Sequence, residues 1–163
     1  MIFIPSLSLA QDRSLLLKTG FVAKFAQFTA WPEDYSPYSE NIVITVLGDD
    51  PIFDAMNKFY INKKIKGFQI KIKQIFNINE IDSPHILFIT KNMKSELNTI
   101  LEYIQNKPIM TISDTEGFCN KGVLINFYLT KKGTLHFELN YKVMRQSNLK
   151  INLLLLEIAK VIK

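Results

Sequence analysis

The pattern of apolar and polar positions divides the chain into short, well-separated elements. Over residues 14–30, Leu17, Phe21, Phe25 and Phe28 recur at helical spacing while Lys18, Lys24 and Gln27 face elsewhere, which predicts an amphipathic first helix. Trp31-Pro32 closes it, because a proline disfavours helical geometry in the residue before it. A loop is expected over 33–40, with Pro37 and two tyrosines. Residues 41–47 form a β-branched run suited to a buried strand. Gly48-Asp49-Asp50-Pro51 then turns into a short helix to about residue 59, with Asp50 placed as a cap and Pro51 as the first helical residue.

Alternating Ile and Lys at 68–75 predicts a further strand, and the apolar stretch 85–90 another. Met93, Leu97, Ile100, Leu101 and Ile104 predict a helix over 91–105. Strands follow at 108–113 and 123–129, then a turn at Lys131-Lys132-Gly133, a strand at 134–139, and two helices near 140–147 and 152–162. The last of these leaves a narrow polar face of Glu157, Lys160 and Lys163, so it is expected to be buried nearly all round or to meet another subunit. The fold class is therefore α/β: a mainly parallel central sheet with helices on both faces, a C-terminal antiparallel hairpin and two C-terminal helices.

With 163 residues, 47% of them hydrophobic and 21% charged, the chain has the composition of one ordinary globular domain. Residues 1–11 are free of charge but well short of the roughly 20 that a membrane-spanning helix needs. Residues 2–10 read like the end of a secretory signal, a short apolar stretch followed by small residues at Ser8 and Ala10. The expectation is an exported protein: a signal remnant over 1–10 and a single domain over 11–163.

The formal charge is +5, from 20 basic and 15 acidic residues. Only Arg13 and Arg145 are arginines, which argues against sequence-specific nucleic-acid binding, where the planar guanidinium fork is favoured over lysine. Residues 55–79 hold Lys58, Lys63, Lys64, Lys66, Lys71 and Lys73 and no acid, so the excess charge is local. The ordinary reading is a sheet edge guarded by lysines; the sharper one is contact with a membrane surface or a cell-wall polymer.

Candidate chemistry is sparse. The two histidines, His85 at the head of an apolar strand and His136 in the hairpin, lie in no nucleophile or metal motif. Each reads as structural, and no catalytic residue, metal ligand or cofactor is assigned. Gly48, Asp49 and Asp50 lie between a strand and a helix, where open α/β folds bind ligands, and Ser113-Asp114 is a second acidic strand end. Together these five residues are the candidate ligand cleft, although two carboxylates at a helix start repel phosphate and suit a capping turn. Cys119 is the only cysteine; within one chain it has no partner for a disulfide.

Several segments taken in order resemble the YfiR-like family, also known as DUF4154. They are Phe25-Ala26-Gln27-Phe28-Thr29-Ala30-Trp31-Pro32, Val46-Leu47-Gly48-Asp49-Asp50-Pro51-Ile52-Phe53, His85-Ile86-Leu87-Phe88-Ile89-Thr90, Met110-Thr111-Ile112-Ser113-Asp114 with Gly117-Phe118, and Phe137-Glu138-Leu139-Asn140 with Leu149-Lys150-Ile151. The resemblance implies a periplasmic, commonly dimeric, non-enzymatic α/β protein. Such a protein restrains a membrane-bound diguanylate cyclase by binding its periplasmic sensor part, and so limits cyclic di-GMP and biofilm formation. Family members often carry cysteine pairs, one of them beside the histidine matching His85; here Pro84 stands in that place, which puts disulfide switching within one chain in doubt. Phe28, Trp31, Val143 and Leu149 are the expected dimer or partner surface. A periplasmic small-ligand or cell-wall binding module is the alternative function.

Overall fold

The computed structural model describes residues 6–35 and 40–163. Among the described residues, strands β2 (Asn41–Leu47), β3 (Lys64–Ile65), β4 (Phe68–Ile75), β5 (Ile86–Ile89), β6 (Met110–Ser113), β7 (Ile125–Leu129), β8 (Leu135–Asn140) and β10 (Lys160–Ile162) form one sheet. Its order is β10-β8-β7-β6-β5-β2-β4-β3. The β4-β2-β5-β6-β7 stretch is parallel, β7 and β8 form the expected antiparallel hairpin, and β10 lies parallel to β8. β2 is central because six of its seven residues are buried, as the β-branched run demands; Ile44 pairs with Ile72 on one side and Ile86 on the other.

Two cores sit on the two faces of this sheet. One gathers Val22, Phe25 and Ala26 of α1 (Ser6–Gln27), Ile52 and Met56 of α2 (Ile52–Tyr60), and the inward residues of most strands. Phe21 and Phe25 meet Phe127 and Phe137 of the hairpin, with Phe25 edge-on to Phe137 at 4.8 Å. The second core lies under α3 (Leu97–Tyr103) and holds Leu87, Ile89, Met93, Ile100 and Phe118. The three-layer α/β architecture expected from the sequence is therefore present.

Three local expectations change. The first helix stops at Gln27 and not at Ala30: Thr29–Ala30 (β1) pairs antiparallel with Lys150–Ile151 (β9), a ribbon whose partner strand the local pattern could not reveal. The helix expected over 91–105 opens as a 3-10 segment, Lys91–Glu96, before α3. The expected all-round buried final helix is instead a five-residue helix, α5 (Leu154–Ile158), followed by β10, with α4 (Tyr141–Gln146) preceding both. Leu153 is 67% exposed and Ile158 57% exposed, so the apolar run serves two structures and one of its faces is open. The physical reason is that Lys160-Val161-Ile162 completes the sheet beside β8, which a continued helix could not do.

Residues 1–5, half of the expected signal remnant, lie outside the described residues, and Ser6 to Ala10 are helical within α1. Among the described residues no helix is long and apolar enough to cross a membrane.

Candidate functional site

The amino-terminal ends of the parallel strands carry a structured aromatic cluster around His85. The backbone N–H of His85 donates to Val43 O at 2.9 Å, and Val43 N–H donates back to His85 Nδ1 at 3.0 Å. An imidazole that accepts at Nδ1 holds its proton on Nε2 and is neutral. Burial pushes its pKa down in the same sense. Trp31 Nε1 donates to His85 O at 3.2 Å and its ring stands edge-on to the imidazole at 5.3 Å. Tyr35 Oη donates to Pro84 O at 2.8 Å, its ring 6.0 Å from the imidazole. The two aromatics thus latch the segment after β1 onto the head of β5.

Beside this latch is a recess of about 400 Å³, walled by Thr29, Trp31, Ile42, Lys66, Phe68 and His85, with Glu33 at its rim. Lys66 reaches it because residues 66 and 67 turn in the left-handed region, φ 53° and 82°. Its ammonium donates to Thr29 O, and desolvation lowers its pKa. The Thr29 hydroxyl is buried without a hydrogen-bond partner. The lining combines apolar surface with the Lys66 cation, the Glu33 carboxylate and a neutral imidazole.

The opposite end of the sheet holds the candidate cleft. The strand order reverses between β2 and β5, so the ends Gly48 and Thr90 flank the switch point. Side chains pack closely on Gly48 there: Gly48 has φ 107°, Thr90 Oγ1 donates to Leu47 O at 2.8 Å and lies against Asn92 Oδ1, and a Cβ on Gly48 would collide with both side chains. Asp50 Oδ1 accepts from Ile52 N–H at 2.8 Å, the capping geometry expected of it. Ser113 Oγ donates to Ile89 O at 2.6 Å. Asp114 pairs with Lys18 Nζ at 2.6 Å. Burial raises the pKa of Asp50, reinforced by the charges of Asp114 and Asp49 and opposed by the Ile52 N–H and Lys18. The structure therefore brings Asp50, Asp114 and Lys18 together; Asp49 stays exposed. Sequence reasoning missed Lys18, whose partner lies 96 residues away.

The expected interface residues fall near the β1–β9 ribbon and α4. Phe28 and Trp31 flank β1, and Leu149 is buried just before β9. Val143 of α4, like Phe28 and Trp31, packs half-buried on the main core. Leu153, Leu154 and Ile158, beyond β9, are the more exposed apolar side chains, and the helical reading of 152–162 hid them. Of the six clustered lysines, the exposed Lys66 ties its ammonium to Thr29 O and Lys73 pairs with Asp82 at 3.1 Å. Cys119 is buried, and burial pushes its thiol up to about 12, far from the thiolate state that reactive cysteines need.

The chain is thus a doubly wound α/β domain, with a recess at the amino-terminal end of its sheet lined by apolar side chains together with Glu33, Lys66 and His85. The profile of the YfiR/HmsC-like family (DUF4154) matches residues 16–160. The chain belongs to that family, whose members are periplasmic and regulatory rather than catalytic. Among solved structures it is similar to a conserved domain protein from Vibrio cholerae O1 biovar El Tor strain N16961. The TM-score there is 0.62 at 7% identity, over 91% of this chain and 60% of that one. It is also similar to the ABC domain in complex with L-Trp from Streptococcus pneumonia, with TM-score 0.53 at 14% identity over 86% of this chain and 61% of that one. These likenesses concern the fold alone. A 70-residue stretch is 31% identical to a formamidopyrimidine-DNA glycosylase from Hydrogenovibrio crunogenus, over 41% of this chain and 25% of that enzyme. The chain spans about 60% of the solved structures and a quarter of the glycosylase, and that short match carries no activity over.

Proposed function

We propose that the protein is a periplasmic regulator that binds the sensor part of a membrane-bound diguanylate cyclase and restrains it. Family membership across residues 16–160 is the observation that carries this reading. The chemistry agrees with it: His85 is neutral and occupied by backbone, and Cys119 is protonated and buried. Restraint works by differential affinity, the protein favouring an inactive cyclase conformation and an envelope signal weakening that contact. The surface offered to the cyclase or to a second copy is the region of Phe28, Trp31 and Val143, with Leu149 buried beneath it, extended by the open face of Leu153, Leu154 and Ile158. Deleting the gene should raise cyclic di-GMP and biofilm mass, and restoring it should return both. Unchanged cyclic di-GMP in the deletion strain overturns the reading.

A second reading, a small-ligand module, is supported by the recess beside His85 and the unpartnered Thr29 hydroxyl on its wall. A ligand bound only by the folded state raises the melting temperature. A thermal-shift screen of small carboxylates and amino acids should then produce a hit that Lys66→Met abolishes.

A further inference from the structure

The corner between α2 and β4 has a composition that neither the core nor sheet-edge protection accounts for. Lys58 lies in the last turn of α2, and Ile61, Lys63, Lys64 and Phe68 follow around the turn and β3. Ile61 is 69% exposed and Phe68 42% exposed, while Lys58, Lys63 and Lys64 all face solvent. Residues 55–79 contain no acid. Lysines alone would suffice to guard a strand edge; large apolar side chains held out among them work against that purpose.

The corner is also tied to the body of the domain. Lys63 N–H donates to Tyr60 O at 3.0 Å, and Tyr60 Oη donates to Thr19 O of α1 at 2.7 Å. Ile65 is buried in the core, and the Lys66 ammonium is tied to Thr29 O. Lys63 Nζ sits 3.5 Å over the Phe59 ring. Side chains presented on a fixed backbone bind without the entropy cost of ordering a loop.

From this juxtaposition we infer that the α2–β4 corner is a docking surface for an anionic phospholipid bilayer, with Ile61 and Phe68 entering the headgroup region and Lys58, Lys63 and Lys64 meeting the phosphates. Lysines are drawn to an anionic membrane surface by about fivefold in affinity each, and apolar tips flanked by lysine are the composition of interfacial anchors. A soluble polyanion would be met by the lysines but would leave Ile61 and Phe68 with no apolar environment. The corner lies at the amino-terminal ends of β2 and β4, the same end as the His85 recess. Docking therefore turns that recess toward the bilayer and Asp49, Asp50 and Asp114 away from it.

The test is sedimentation of the purified chain with vesicles of phosphatidylcholine alone or with about 30% phosphatidylglycerol, at low and at high salt. The expected results are at least tenfold preference for the anionic vesicles, loss of binding near 0.3 M salt, and a drop of tenfold or more for Lys63→Glu/Lys64→Glu. Ile61→Ser should weaken binding with an unchanged melting temperature, which separates insertion from folding. Equal binding to both vesicles, no binding to either, indifference to the double lysine reversal, or binding to a soluble polyglutamate but not to vesicles would overturn the inference. The assay contains no cyclase, so its outcome is independent of the regulatory reading.

Discussion

His85 shows how one side chain can matter without chemistry of its own. Its Nδ1 receives a buried backbone N–H from Val43, so a charged imidazole, which is a donor at both nitrogens, would face donor against donor. The groups around it are the Trp31 and Tyr35 rings, the Lys66 ammonium across the recess and Glu33 at the rim. Because its folded pKa lies below the unfolded value, the unfolded chain binds the proton more readily. The associated stability is complete above about pH 6.5 and is lost as the pH falls through that value toward the folded pKa. Chemical denaturation of the wild type and of His85→Ala from pH 7.5 to 5 checks this. The variant should be about 2 kcal/mol less stable at pH 7.5, from the orphaned Val43 N–H, and the gap should narrow on acidification. The structural role of His85 was legible from its position at the head of an apolar strand. Its latch was not, since Trp31 and Tyr35 lie about 50 residues away and nothing local points from one to the others.

At the scale of elements, legibility followed how many structures a pattern could satisfy. The β-branched run of β2 and the alternation of β4 fit only strands, and both stand where the pattern put them. The Leu- and Ile-rich stretch from Leu153 to Ile162 fits a helix, a strand or a buried core, and sheet completion by β10 decided it. Likewise Trp31-Pro32 does bar further helix, but the ribbon claimed Thr29–Ala30 first. The switch-point turn was legible as a cap, while its packing against Thr90 and Asn92 was not, because those residues arrive from the far side of a crossover. Gly48→Ala should therefore cost about 3 kcal/mol or more, from the positive φ together with the displaced Thr90 hydroxyl. Urea denaturation measures it, and a loss below 1 kcal/mol would show the crevice to be open enough to accept a side chain.

Taken whole, the molecule depends on elements brought together from opposite ends of the chain. β10 covers the outer edge of β8, and Lys160 Nζ reaches Glu138 Oε1 at 2.9 Å; that pair is exposed on the lysine side and adds little. The cover itself matters more, since β8 without it presents an unpaired backbone edge. Removing residues 160–163 should lower the melting temperature by roughly 5–10 °C, the equivalent of about 2–3 kcal/mol for a domain of this size. Light scattering should show new association through the bared strand. A monodisperse product of unchanged melting temperature would mean that α5 and the hairpin hold that edge without help.

The pairing of Phe21 and Phe25 with Phe127 and Phe137 also sets an order of assembly. During synthesis α1 emerges early with its aromatic stripe bare, and its partners arrive only after most of the sheet has been made. Until then the helix is a sticky amphipathic segment of the kind a holding chaperone recognises, and β9 and β10, which follow the hairpin in the chain, have still to dock after it.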